Sequence, residues 1–268
     1  MMGHKLGVDM QVVTAEVPPV RNLELCINRG HLHVETMVAT PFASGLSTIV
    51  DDEAELGVAC IDMGGGTTTL SVFVDGHMVH LDAIAVGGNH VTTDIARAFA
   101  TRLQDAERLK TLYGSPLASS SDDRDMLTVP PLESDSDLPN QIPRSALTRV
   151  IRPRVEEILE LVRDRLTASG FAGRVGKQIV LTGGASQLTG LGEVARHILG
   201  RNVRLGRPLG VAGLPEAAKG PAFAAAVGLL IYPQVAQIEQ FEHKNRRSGW
   251  GGQSGYLARV GQWIRESF

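Results

Sequence analysis

Asp62 is followed two positions later by Gly64, Gly65 and Gly66, and then by Thr67 and Thr68. Glycines carry no Cβ, so their backbone N–H groups can approach an oxyanion closely. The two hydroxyls add donors, and an acid at a strand end can hold a divalent cation through water. Together they suit a Mg²⁺–phosphate group. An unliganded glycine-rich hairpin turn has the same composition, and a short glycine motif alone does not separate the two. A second turn, Thr182-Gly183-Gly184-Ala185-Ser186, follows the apolar run Ile-Val-Leu and precedes a helical stretch. Its small residues leave room for a flat base between backbone segments. Gly87 and Gly88 open a further helix, whose N-terminus favours phosphate. Glu107 and Lys110, three apart on one helical face, either bracket a ribose and a base or form a surface ion pair of little worth.

These residues need strands that end at the turns and helices that start from them. Residues 57–63, 68–75 and 77–86 read as three strands, with Asp75-Gly76 as a two-residue hairpin signal between the second and third. Helices are expected from Gly88 to about Leu103 and over 106–114. Residues 115–143, rich in Ser, Asp and Pro, read as a solvated insertion around one short strand, 126–129. In 144–169 the apolar residues Leu147, Val150, Ile151, Val155, Ile158, Leu159, Val162 and Leu166 recur at helical spacing, with Pro153 as a kink or first-turn residue. Residues 177–188 run from a buried strand into the second glycine turn. A helix, a strand and a last helix, 220–232, follow. Upstream, 8–17 and 31–40 read as extended, 18–30 as helical and 43–56 as one helix with an acidic end. The sum is a mixed α/β sheet with covering helices.

With 268 residues and 43% hydrophobic content, the chain is globular. A formal net charge of −3 argues against nucleic acid or another polyanion as partner. Cys26 and Cys60 form neither a disulfide framework nor a metal spacing. The N-terminal residues lack an apolar signal-peptide core, and no apolar run is long enough to span a bilayer. Residues 244–268 carry Lys244, Arg246, Arg247, Arg259 and Arg265 against Glu266, a local +4 on a body of about −7. Residues 242–254 read as a flexible tether. Beyond it Tyr256, Leu257, Val260, Ile264 and Phe268 fall on one helical stripe, with Trp263 at its edge and Arg259 and Arg265 outside it. Such a helix lies flat on an anionic membrane surface, or docks on its own domain.

Several stretches carry a family resemblance. DMGGGTT resembles the second phosphate loop of the actin-like ATPase superfamily, TGGAS its adenosine loop and GPAFAAAVGLL its second interdomain connecting helix. Within that superfamily VTAEVPPVRNLELCINRGHLHVE, ATPFASGL, AVGGNHVTTDIA, AERLKTLYG, LTRVIRPRVEEILELV and the final GYLARVGQWIRESF resemble the bacterial cell-division FtsA family. The resemblance implies an actin-like ATPase fold of α/β class, with the second lobe largely complete, the first lobe truncated and a C-terminal amphipathic helix. It divides the chain into a partial first lobe (1–56), a second-lobe nucleotide-binding sheet (57–96) and its small subdomain (97–176). An adenosine-loop part (177–214), a returning connecting helix (215–235), a linker (236–254) and a membrane-targeting helix (255–268) complete it.

The same resemblance implies ATP with Mg²⁺ at Asp62 and the two glycine turns, with self-association into filaments. It also implies a membrane tether for the tubulin-like division protein FtsZ, recruitment of later divisome membrane proteins, and a place on the cytoplasmic face of the inner membrane at the septum. The C-terminal tail of FtsZ is expected on the helix bearing Arg144, Arg149, Arg152 and Arg154, with Arg154 the best match, since clustered arginines suit an acidic peptide; a solvated basic face is the plain alternative. Thr40 and Pro41 stand where hydrolysing relatives orient water, so at most weak ATPase activity is expected. The family's first phosphate loop has no counterpart, so residues 1–56 are expected to be poorly supported and ATP binding weak. The alternative is a sugar kinase or other small-substrate enzyme of the same superfamily.

Overall fold

In the computed structural model of the chain, residues 7, 10–132 and 140–239 are described, with the side chains of 237–239 left aside. Three strands form as their patterns predict: β1 (Val58–Met63), β2 (Thr68–Val74) and β3 (His77–Ile84). Asp75 and Gly76 adopt left-handed φ values of 53° and 77°, as a tight hairpin between right-twisted strands requires. β4 (Met126–Val129) pairs with β5 (Asn140–Pro143) as a separate antiparallel hairpin. The partner strand carries no apolar alternation to announce it. β6 (Gln178–Thr182) and β7 (Asn202–Leu205) join the main sheet, whose order is β3-β2-β1-β6-β7. The first three strands are antiparallel, and β6 and β7 run parallel to β1. Every residue of β2, and all of β1 except half-buried Asp62, is buried, because helices cover both faces.

Alternation along β1 sorts those faces. Ala59, Ile61 and Met63 meet α4 (Gly88–Phe99), α6 (Arg144–Ala168) and α7 (Leu191–Leu199) in the larger core. The expected apolar stripe of α6 is buried from Leu147 to Leu166, with Val150 partly so. Val58 and Cys60 meet α2 (Thr40–Thr48), where Phe42 stacks on Phe73 at 6.1 Å and Tyr232 meets Phe42 edge-on. Burial pushes the Cys60 thiol up to about 12, so it is inert packing. Tyr232 belongs to α8 (Ala224–Glu239), which crosses α2 closely at Gly228. Residues up to Gln234 belong to one compact unit.

Several expectations are corrected. Residues 10–16 and 31–39 are not strands. A strand exists only through its ladder, and neither segment pairs with another among the described residues. α1 (Val17–Arg29) forms between them and ends before Gly30, but buries none of its residues. The single helix expected over 43–56 is two, α2 and α3 (Asp51–Leu56), separated by extended Ile49 and Val50. Glu53 holds that break. It accepts the Val50 N–H at 3.3 Å and a two-pronged contact from Arg204, which also donates to the Thr48 carbonyl at 2.7 Å. The helix from Gly88 stops at Phe99, where Ala100 turns left-handed, and α5 (Leu103–Tyr113) starts afresh. No helix among the described residues is long and apolar enough to cross a membrane. The stripe Tyr256, Leu257, Val260, Trp263, Ile264 and Phe268, with Arg259 and Arg265, lies outside them.

Candidate functional site

The β1–β2 turn is set by α4. Gly64 N–H donates to the Thr67 carbonyl at 2.9 Å, and Gly65, Gly66 and Thr67 are exposed at the tip. The carbonyls of Gly64 and Gly65 in turn accept the N–H groups of Gly88 and Asn89 at 2.9 and 2.8 Å. The start of α4 thus grips the turn, and Gly87 N–H is taken by His90 Nδ1 at 3.1 Å. At Gly87 a Cβ would lie 2.6 and 2.7 Å from the Gly64 and Gly65 carbonyl oxygens, so only glycine allows that approach.

Asp62 stands at the end of β1, level with Thr69 on β2 and Thr182 on β6. Its Oδ2 accepts a hydrogen bond from the fully buried Ser44 hydroxyl. Burial raises the carboxyl above its ordinary range, and the Ser44 bond only partly opposes this. Its Oδ1 faces Gly183, whose φ is 87° and where a Cβ would lie 2.3 Å from that oxygen. Thr69 Oγ1 is buried and has no partner among the described residues. Thr68 is not at the tip: its hydroxyl donates to the Val86 carbonyl at 2.8 Å in full burial. Ser186 likewise spends its hydroxyl on the Gly183 carbonyl at 2.7 Å.

A cavity of about 540 Å³ opens between the two glycine turns. Gly65, Gly88, Glu107, Lys110, Gly184 and Ala185 line its polar side, and Met63, Val91, Val155, Ile158, Leu188 and Leu191 its apolar side. Six positions from four separate stretches of sequence are thereby brought together; Asp62, Gly64, Gly66, Thr67, Thr68, Gly87, Gly183 and Ser186 are not in that lining. Lys110 is only 12% exposed, and its ammonium reaches Glu107 Oε2 at 2.7 Å, Thr92 Oγ1 at 2.8 Å and the Gly88 carbonyl at 3.1 Å. The pair is therefore more than a solvated ion pair, because it ties α5 to the start of α4. Burial alone would raise the Glu107 carboxyl; the bonds from Lys110 and Thr92 outweigh it and hold the group below its ordinary range.

Sequence reasoning missed Ser44, Thr69 and Thr92, whose types do not stand out among the chain's many hydroxyl residues. It read Val155 and Ile158 only as core; they also floor the cavity. Among the described residues no cluster of three or more His, Cys, Asp or Glu is arranged for a metal, so Asp62 is a lone acid.

The arginines of α6 are unequally engaged. Arg154 meets Asp94 of α4 at 2.6 and 3.2 Å and Glu157 at 2.5 Å, and the Asp94 bond raises its pKa. Arg152 pairs with Glu156 at 2.7 Å. Arg144 reaches the Tyr113 carbonyl at 3.2 Å and Asp122 at 3.8 Å. Arg149 is exposed and pairs with no carboxylate among the described residues.

Comparison with known proteins shows the family and the fold. The family model for cell division protein FtsA matches residues 59–228. The cell division protein FtsA of Agrobacterium fabrum is 62% identical over the whole chain, and that of Escherichia coli K12 is 32% identical. The chain spans 61% and 65% of their lengths, respectively. Among solved structures, MreB5 of Spiroplasma citri bound to ADP is similar with a TM-score of 0.64 at 18% identity, covering 83% of this chain and 67% of that one. The PilM–PilN type IV pilus biogenesis complex is similar with a TM-score of 0.60 at 21% identity, covering 79% and 56%. At such identities the likeness is one of fold, and the fold is actin-like.

Proposed function

The chain belongs to the FtsA cell-division family, and from that premise we propose that it binds ATP with Mg²⁺, assembles as an actin-like protein and tethers FtsZ to the membrane. The observation that carries this reading is the cavity between the two glycine turns. Its volume falls in the range of small-ligand sites, and small residues from both glycine turns line it. A bound Mg²⁺ would neutralise phosphate charge beside Asp62. Gly65 and Gly66 N–H groups and Thr67 donate to phosphate oxygens. Gly64, Gly87 and Gly88 fix the shape of that turn. Glu107 accepts from the ribose, and Lys110 braces it. Gly183, Gly184 and Ala185 take the base against the apolar floor, with Thr68 and Ser186 supporting the two turns from behind. Thr40 and Pro41 supply no base at the start of α2, so the nucleotide acts as an assembly ligand more than as a fuel.

MreB5 in its ADP-bound structure supports the nucleotide by likeness of fold. The acidic FtsZ tail is assigned to α6, where Arg149 and Arg144 offer charge that Arg154 has already committed to Asp94. The basic C-terminal segment would anchor the protein to the anionic cytoplasmic face of the inner membrane at the septum, where filaments multiply weak anchors and later divisome proteins are recruited.

Calorimetry with ATP and excess Mg²⁺ tests the site. Binding is expected, and Gln187→Trp, which fills the cavity from an exposed position on its lining, should weaken it at least about tenfold, or 1.4 kcal/mol. No heat from the parent, or equal affinity in the variant, refutes the assignment.

A further inference from the structure

Asp62 offers two oxygens with different fates. Oδ2 is bonded to Ser44, a residue of α2 with no exposed surface. Oδ1 approaches the Gly183 backbone so closely that a Cβ there would lie 2.3 Å from it, and it accepts no hydrogen bond among the described residues. Nothing else among the described residues donates to this carboxylate, so its orientation depends on one hydroxyl. Ser44 is itself held by its helix: its carbonyl accepts from Thr48 Oγ1 at 2.7 Å and from Ser47 Oγ at 3.2 Å. Ser47 Oγ also reaches the Ala224 carbonyl at the start of α8, at 2.7 Å. The Ser44 bond and the α2 backbone therefore connect the acid to the helix that crosses α2, with the single Ser47 proton drawn mainly to the nearer Ala224 carbonyl.

We propose that Ser44 is the positioning residue of Asp62: it commits Oδ2 to α2, presents Oδ1 to a divalent cation or its bound water, and thereby makes α2 respond when that cation arrives. The inference rests on the reading of Asp62 as the acid of the Mg²⁺ site. A carboxylate that binds a cation is normally held by a partner of its own, and losing that partner costs about 10–100-fold in metal affinity. The link to α2 follows from the same bond. A cation drawing on Oδ1 withdraws charge from Oδ2, weakening the Ser44 bond and the local order of α2.

The test compares the full chain with Ser44→Ala, Ser44→Cys and Asp62→Asn. Dissociation constants for ATP are measured with Mg²⁺ titrated in and with a chelator present, and amide hydrogen exchange of residues 41–48 is followed in both states. Ser44→Ala should reduce Mg²⁺ affinity about tenfold while metal-free ATP binding changes less than about twofold. It should also abolish the Mg²⁺-dependent change in α2 exchange. Ser44→Cys, a weaker donor of similar size, should fall between parent and alanine. Asp62→Asn should remove the Mg²⁺ dependence altogether. If Asp62→Asn leaves that dependence intact, the underlying metal assignment fails. If Asp62→Asn removes it but Ser44→Ala leaves both Mg²⁺ affinity and α2 exchange as in the parent, the Ser44 inference fails. A fall in metal-free and Mg²⁺-loaded affinity by the same factor would show a merely structural residue and overturn it too.

Discussion

Replacing Gly228 by alanine sets two effects of opposite sign against each other. On helix propensity alone, alanine in α8 is favoured over glycine by about 1 kcal/mol. The crossing with α2 says otherwise. A Cβ at Gly228 would lie 1.8 Å from the Ala43 carbonyl oxygen and 2.9 Å from Ala43 Cα. Ordinary contact begins at 3.4 Å, so one helix would have to retreat by roughly 1.6 Å. Both partners are backbone, and no rotamer change relieves the clash. Retreat would also stretch the Ser47–Ala224 hydrogen bond and the Phe42–Tyr232 contact. Overpacking of this kind costs about 1–3 kcal/mol and occasionally more. With backbone on both sides the clash belongs at the upper end of that range, so after the propensity gain is subtracted a net loss approaching about 2 kcal/mol is expected. For a chain of this size that lowers the melting midpoint by up to about 8 °C. Gly192 in α7 is the internal control: a Cβ there meets nothing within 4 Å, so Gly192→Ala should hold or raise the midpoint. Thermal melts followed by circular dichroism read both. A Gly228→Ala protein as stable as the parent would refute the close crossing of α2 and α8.

Thr69→Val removes a buried hydroxyl without a partner among the described residues and should stabilise the ligand-free protein by about 1 kcal/mol, read from the urea midpoint; a lower midpoint would show that the hydroxyl is satisfied. Burial pushes the Glu53 carboxyl up, but the bonds from Arg204 and the Val50 N–H outweigh it and hold the group below its ordinary value of 4.5. Its contribution to stability is therefore fully present above that ordinary value and is lost as pH falls through the lowered one. The stability deficit of Arg204→Met should shrink on acidification, and a deficit that is constant with pH would count against the pair. Arg149→Glu should weaken binding of an acidic FtsZ-tail peptide with no change in melting temperature, measured by fluorescence anisotropy; unchanged affinity would remove Arg149 from the docking surface. The parent should co-sediment with anionic vesicles and Trp263→Glu should not, and equal pelleting by the two would end the anchor proposal.

What the sequence made legible is what short-range chemistry decides. Asp75-Gly76 had to turn tightly because two successive left-handed residues are rarely tolerated otherwise, and α6 announced its buried face through eight apolar positions. The glycine turns were visible for the same reason, since each follows an apolar strand directly. Residues 10–16 and 31–39 misled because valine-rich runs favour strands only where a ladder awaits them. The break at Ile49–Val50 depends on Arg204, some 150 residues away. Ser44 was hidden because a serine in a buried helix looks like any small residue until the strand acid beside it is placed. Val155 and Ile158 could not be told from core, because a cavity floor and a core wall are made of the same side chains.

The register of β1 also dictates an order of events. Its antiparallel edge against β2 closes within a few residues, Asp62 meeting Thr69, whereas its parallel edge waits for β6, Asp62 meeting Thr182. On a ribosome adding about 5–20 residues per second, that gap of about 120 residues lasts roughly 6–24 s. For most of it the β1–β2 turn and its α4 clasp are already available while the opposite turn has not been made. During that interval Val58, Ala59, Cys60 and Ile61 present one unpaired strand edge, and their burial is complete only when β6 arrives.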